Sequence, residues 1–472
     1  MRKIMGLFFG DPDAWVENAE RFRKYYYKRP SIVDLKLDEL KEGYCITVGP
    51  KGTGKSAICR AISERKKDLI WHLSASDGFT LDGTSKYRAS FIKEVIEYHL
   101  LAHLIEMVSD DNEISQEARN KIPIKYKKYV KYFTKLIPKL SGEISAGPVK
   151  LTIEPKELLK LDNADLATVK VEYFREILAD CLIEKKAYIL LDDIDEVFPG
   201  IEKNVEFFEG LLAAAVEINY TFEDLLHLHL FVKTGIYAYY NSNGRNPDKY
   251  KGKFFFLRWT DDELAEVLAI RSKIANDITE DLSVEDSLLL SFSHKSSNLA
   301  AIRDFIVQRV NSGPRDMIIL CNEAKDRAHD SKISLTDLKN AESSYSQTKI
   351  DLLNSNYKDD FGEVAEIIKL AFTGSQSKFK KGELIEFINT RILGNSKLMS
   401  QFGKEPLLIG RDEKFILEKL YQFGFIGAKI NPRVKTNYYS SSEGQGILST
   451  SDLINASEHS IHLAYHSALQ IK

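Results

Sequence analysis

Tyr44-Cys45-Ile46-Thr47-Val48-Gly49-Pro50-Lys51-Gly52-Thr53-Gly54-Lys55-Ser56-Ala57-Ile58-Cys59-Arg60-Ala61-Ile62 is the stretch that decides the fold. Tyr44 to Val48 mixes apolar and β-branched residues, the composition of a buried strand. Gly49 to Ser56 follows at once and matches G-x-x-x-x-G-K-[ST], and Ala57 to Ile62 carries the apolar face of a helix. Gly49, Gly52 and Gly54 let the backbone turn tightly with its N–H groups pointing inward, and the helix N-terminus adds its positive dipole end. Such a cradle fits the phosphates of ATP. Its expected contacts are Gly49, Pro50, Lys51, Gly52, Thr53, Gly54, Lys55, Ser56 and Ala57. Among these, Lys55 reaches the β- and γ-phosphates and Ser56 offers its hydroxyl to Mg2+. The bland alternative is a glycine-rich turn with no ligand.

Downstream, Ala187-Tyr188-Ile189-Leu190-Leu191 reads as a second buried strand, ending in Asp192-Asp193-Ile194-Asp195-Glu196. Four carboxylates in so short a stretch repel one another unless a cation or solvent relieves them. Asp192, the first residue after the strand, is the expected Mg2+ partner opposite Ser56, and Asp193 or Glu196 is the candidate to orient an attacking water. A solvated turn is the competing reading. Thr260-Asp261-Asp262-Glu263 has the T-x-x-E spacing of a capping box and predicts a helix start, and Pro314 predicts another at its first position.

The paired motifs resemble the Walker A and Walker B segments of P-loop ATPases, in the branch shared by AAA+ proteins, replication initiators and STAND NTPases. The resemblance covers about residues 40 to 345. It implies that the strand His227 to Val232 ends at a sensor-1 residue, Thr234, and that Phe254 to Trp259 leads into a helical lid. It also implies that Arg315, in Ser312-Gly313-Pro314-Arg315-Asp316, reaches over the nucleotide as sensor 2. Arg245 is then the candidate arginine finger, with Arg258 behind it. Leu7-Phe8-Phe9-Gly10 and Tyr25-Tyr26-Tyr27 are similar to the N-terminal FFG arm of a group of bacterial P-loop ATPases with winged-helix tails, often encoded near antiviral defence genes. Two departures bear on hydrolysis rather than binding. Lys233-Thr234-Gly235 replaces the R-S-D of similar proteins, and Asp193 stands where many have glycine.

The whole chain agrees with a large globular protein. It has 472 residues, of which 43% are hydrophobic and 29% charged, with a net charge of -3, which excludes a disordered or collagen-like chain. The expected class is α/β: a P-loop NTPase core with a parallel sheet, a helical lid and a C-terminal winged-helix-like α+β domain. The expected divisions are an arm at 1–40, a core at 41–259 with a lysine-rich insert at about 110–165, a lid at 260–350 and a tail at 351–472. No apolar run approaches a membrane span, and the apolar N-terminal stretch meets Asp11 and Asp13 too early for a secretory signal. Cys45, Cys59, Cys181 and Cys321 form no C-x-x-C pair and read as core thiols of a cytoplasmic protein.

Elsewhere the residues leave alternatives open. Lys121 to Leu140 interleaves lysines with aromatics, as single-stranded nucleic acid would require, but an amphipathic helix burying Tyr129, Phe133 and Ile137 explains it too. Phe361–Phe372, Lys381–Ile392 and Asp412–Phe423 predict three helices, and Phe425–Ile430 with Val434–Ser440 a hairpin. Together they suggest a winged-helix order suited to protein or DNA contact. His227 with His229, and His459, His462 and His466, read as structural. The expected partners are further copies of the chain, a protein effector and, as the alternative, nucleic acid.

Overall fold

The computed structural model describes residues 8–26, 44–64, 67–73, 88–122, 171–197, 201, 204–293, 298–438 and 448–472. The lysine-rich stretch beyond Ile122 lies outside them, as do Leu7 and Tyr27 at the edges of the arm. The chain divides into two compact units. One comprises Lys28–Lys51 and Lys55–Leu257; the other comprises Met1–Tyr27, Gly52–Gly54 and Arg258–Lys472.

The first unit is built on a five-stranded sheet: β1 (Ile46–Gly49), β2 (Leu69–Leu73), β3 (Ala187–Leu191), β4 (Leu226–Lys233) and β5 (Phe254–Phe256). The strand order is β2-β3-β4-β1-β5 and every pairing is parallel, so β4 lies between the two motif-bearing strands. An inner strand of a parallel sheet covered on both faces is buried along its length, which is why β3 reads as an unbroken apolar run. Successive side chains point to opposite faces. Ala187, Ile189 and Leu191 join the larger core with Leu178 and Leu211, whereas Tyr188 and Leu190 join a smaller one with Ile58, Cys59 and Ile62. Each such fully buried Leu or Ile contributes about 1.5–3 kcal/mol. On the larger side the helices Ala89–Asp110 and Val205–Phe222 pack so closely that a Cβ at Gly210 would lie 2.7 Å from the Ala89 carbonyl oxygen.

The second unit begins with the arm. Phe9 is fully buried and stacks on Phe292 at 5.8 Å; its N–H donates to Asn322 Oδ1 at 2.9 Å, and Asn322 Nδ2 donates to the Gly10 carbonyl at 3.0 Å. Gly10 adopts φ +84°, and a Cβ there would meet the Tyr25 ring at 2.8 Å, so glycine is required. Helices follow at Asp261–Ala275, Pro314–Arg327 and Leu335–Phe361. The first opens with the expected capping box of Thr260 and Glu263, the second with Pro314 at its first turn. The third is 27 residues long and runs without a break through position 350, where the sequence suggested a division.

Among the described residues the tail has five helices, Val364–Phe372, Glu383–Ile388, Ser396–Phe402, Glu413–Gln422 and Thr450–Asn455, and the sequence pattern did not predict Ser396–Phe402 or Thr450–Asn455. Its sheet comprises β6 (Lys378–Lys380), β7 (Ile426–Lys429) and β8 (Glu458–Ile461), antiparallel in the order β6-β8-β7. The expected hairpin is therefore corrected. β7 pairs with β8, and among the described residues the expected hairpin partner meets β7 through an isolated antiparallel bridge, Ala428 with Asn437; positions 439 and 440 lie outside them. Among the described residues no helix is long and apolar enough to cross a membrane.

Candidate nucleotide site

The glycine loop leaves β1 at Gly49 and re-enters regular structure at Lys55, the first residue of the helix Lys55–Ser63. Gly52 and Gly54 adopt φ +92° and +100°, backbone that only glycine enters cheaply. Lys55 is buried, and its Nζ donates to the carbonyls of Gly49 at 2.8 Å and Pro50 at 3.0 Å. Burial pulls its ammonium down to about 8, while the carboxylates of Asp192 and Asp193 pull the other way, so Lys55 is charged at neutral pH. Ser56 and Ala57, both half-buried, complete the first helical turn, and Lys51 is exposed.

At the end of β3 the carboxylates are poorly satisfied. Asp192 is 1% exposed; its Oδ1 accepts the Asp193 N–H at 3.0 Å, and its Oδ2 is buried with no hydrogen-bond partner among the described residues. Asp193 holds a left-handed backbone at φ +47°. Burial pushes its carboxyl up to about 6, helped by repulsion from Asp192, Glu196 and Asp195. Glu196 is exposed on the short helix Ile194–Val197. Lys233, at the end of β4, bonds the Asp195 carboxylate; burial opposes its charge, yet Asp195 and its neighbours hold its pKa above the ordinary value. Thr234 is buried at the next position. Sequence reasoning put the emphasis on Thr234 and missed Lys233 as the counter-ion of this cluster.

These residues fit a magnesium ion. A buried carboxylate oxygen without a donor is costly unless a cation meets it, and the Asp192 carboxylate with the Ser56 hydroxyl is an all-oxygen set suited to a hard cation.

In the second unit the loop tip Gly52–Gly54 sits among residues of the predicted sensor turn. Trp259 Nε1 donates to the Thr53 carbonyl at 2.8 Å. A Cβ at Gly313 would lie 2.9 Å from Thr53 Cα, and one at Gly52 would lie 3.2 Å from Arg315 Cβ. Arg315 thus packs directly on Gly52, and its Nε donates to the Pro12 carbonyl of the arm at 3.2 Å. The turn is held by Asp316, which accepts the N–H groups of Asn311 and Ser312 at 3.0 and 2.9 Å and a buried ion pair from Lys349 at 2.8 Å. Asn311 Nδ2 donates onward to the Gly424 carbonyl and to Tyr465 Oη.

Other candidates resolve more simply. Arg245 is largely exposed and bonds Glu206 and Glu209 of its own unit. Arg258 is half-buried, with its charge acting on Tyr421. His229 shares a hydrogen bond with Thr47 Oγ1 at 2.8 Å, and His227 packs on Tyr188. His459 and His466 bond backbone carbonyls, and His462 caps a short turn through the Ala464 N–H. All five histidines thus have partners within the fold.

Residues 262–354 match the family described as the FunZ-associated C-terminal helical domain. The chain is 23% identical over 417 residues to a protein of Escherichia coli strain K12 described as a transposon gamma-delta 80.3 kDa protein. That match covers 81% of this chain but only 57% of the relative, so the chain spans little more than half of the relative's length. Among solved structures, it is similar to RuvB of Thermotoga maritima at 12% identity and TM-score 0.33, covering 92% of this chain and 96% of that one. It is also similar to Cdc6p of Pyrobaculum aerophilum at 11% identity and TM-score 0.31, covering 92% of each, and to the ORC2 protein of Aeropyrum pernix at 10% identity and TM-score 0.30, covering 95% and 98%. With likenesses this distant, the fold is read from the chain's own parallel sheet and glycine loop. The chain thus has an α/β fold with a parallel five-stranded sheet and a glycine loop of the P-loop type, and its residues 262–354 match the FunZ-associated C-terminal helical domain.

Proposed function

We propose that this protein is a magnesium-dependent ATPase that acts as a nucleotide-driven switch. The observation that carries the reading is the buried Lys55 ammonium, held at the foot of a left-handed glycine loop and under the influence of Asp192 and Asp193. Ser56 and Asp192 would hold Mg2+, which supplies positive charge to the phosphate oxygens when bound. Lys55 would exchange the Gly49 and Pro50 carbonyls for phosphate oxygens. Asp193 or Glu196 would take up a proton from water and orient it, and Thr234 and Arg315 would sense the terminal phosphate. Because Arg315 packs on Gly52 and bonds Pro12, a change at the loop tip would be felt by the arm. The test is phosphate release by the wild type, Lys55→Ala and Asp192→Asn with and without Mg2+; equal rates in all three would overturn the reading.

The biological role extends the same proposal. The chain assembles with copies of itself, Arg245 of one copy completing the site of the next, and the assembly controls a protein effector in bacterial antiphage defence. The resemblance to defence-linked ATPases and the exposed Arg245 support this. A second reading, a DNA-acting initiator- or loader-type ATPase, is favoured by the helices and three-stranded antiparallel sheet of the tail. ATPase activity measured with and without DNA across a salt series separates them, since stimulation by DNA that falls steeply with salt belongs to the second.

A further inference from the structure

Three donor groups of different chemistry meet beneath the glycine loop. Cys59 Sγ, a ring nitrogen of His72 and a carboxylate oxygen of Asp192 all lie within 4.8 Å of one another. They come from three elements: the helix Lys55–Ser63, β2 and the end of β3. The sheet register brings two of them together, because His72 pairs with Leu190 and the Asp192 N–H donates to the Leu73 carbonyl at 3.3 Å. Cys59 is fully buried, and Asp192 is 1% exposed with its Oδ2 lacking a hydrogen-bond partner among the described residues.

We propose that Cys59, His72 and Asp192 form a site for a borderline transition-metal ion of the Zn2+ class, distinct from the oxygen site for Mg2+ but sharing Asp192 with it. Sulfur, imidazole and carboxylate together select zinc or cobalt, whereas magnesium takes oxygen alone. Three protein ligands leave a fourth tetrahedral position for water. With metal–sulfur and metal–nitrogen bonds of about 2.3 and 2.0 Å, tetrahedral neighbours stand roughly 3.5 Å apart, so the donors need to move by about an ångström. Binding displaces the Cys59 thiol proton to solvent, and the ion's charge then faces the thiolate and the carboxylate. The ion would hold Asp192 away from the Mg2+ position and slow hydrolysis. That consequence rests on the ATPase reading; the site itself does not.

The experiment titrates the full-length, metal-free protein with Co2+ in the absence of nucleotide, followed by absorbance. The expected result is one ion per chain, with tetrahedral d–d bands and a sulfur-to-cobalt charge-transfer band. Cys59→Ser abolishes the charge-transfer band and Cys45→Ser keeps it. His72→Gln, a second variant in case the first does not fold, weakens Co2+ binding at least about tenfold. Absence of the bands in the wild type, or their persistence unchanged in Cys59→Ser or His72→Gln, would overturn the site. Zn2+ added to a Mg2+-ATP assay should lower turnover about tenfold in the wild type and leave Cys59→Ser unaffected. Cobalt bands without any ATPase activity would defeat the proposed function and leave the metal site standing; ATPase activity without cobalt bands would do the reverse.

Discussion

Two charged turns in this molecule treat their carboxylates in opposite ways. At Asn311–Asp316, Asp316 is buried with all that it needs: two backbone N–H donors and the Lys349 ammonium. At Asp192–Glu196, by contrast, Asp192 Oδ2 and Asp195 Oδ1 are buried without hydrogen-bond partners among the described residues, Asp193 is pushed up to about 6, and its backbone is left-handed. A protein tolerates such frustration where an incoming ligand relieves it, and completes its hydrogen bonds where it needs a rigid support. The first turn is scaffold for Arg315; the second is where the proposed cation would sit.

Substitutions sharpen that contrast. The largest expected effect is on turnover: Asp192→Asn should abolish Mg2+-dependent phosphate release while leaving the denaturant midpoint unchanged or raised, because it removes an unsatisfied charge. A large loss of stability would place Asp192 with the scaffold instead. Lys349→Met should do the opposite. It strands a buried carboxylate and should cost about 3–5 kcal/mol in urea unfolding; a cost below 1 kcal/mol would mean the turn does not need its ion pair.

Smaller effects follow at Asp193. Its folded carboxyl keeps a proton up to about 6, whereas an unfolded one releases it near pH ~4. The folded state therefore binds more protons across that window, and stability falls as pH rises through it. Asp193→Asn should flatten this limb of the unfolding profile, and a profile identical to wild type would show the carboxyl is not perturbed. Asp193→Gly should also relieve the left-handed backbone, gaining up to about 1 kcal/mol. Thr260→Ala, which removes a satisfied cap outside both turns, should cost about 1 kcal/mol of thermal stability with no change in ATP affinity.

Much of the frustrated turn was legible from the sequence, and little of its satisfied counterpart. A glycine loop between a strand and a helix, and an acidic strand end, announce themselves because their residue types are costly anywhere else. Asp193 departs from the glycine that the resemblance leads one to expect there, and its φ of +47° is backbone that glycine enters more cheaply. The helix Leu335–Phe361 hid its role, since Ser344 to Tyr357 looks polar while Tyr345, Ser346, Lys349, Ile350 and Leu353 are buried. Polar residues with buried partners erase the amphipathic pattern that periodicity reads. The β7 partner was missed for a related reason. Alternation marks a strand but does not say which later strand it pairs with, and β8 lies about thirty residues on. The meeting of Cys59, His72 and Asp192 left no trace in spacing because three separate elements supply it.

The central claim is that the loop from Gly49 to Ala57 holds a triphosphate through the buried Lys55. Calorimetric titration of Mg2+-ATP into the wild type and Lys55→Ala tests it most directly. Saturable binding of one nucleotide per chain, weakened at least about tenfold by the substitution, is the predicted result; equal affinity in the two proteins would contradict it.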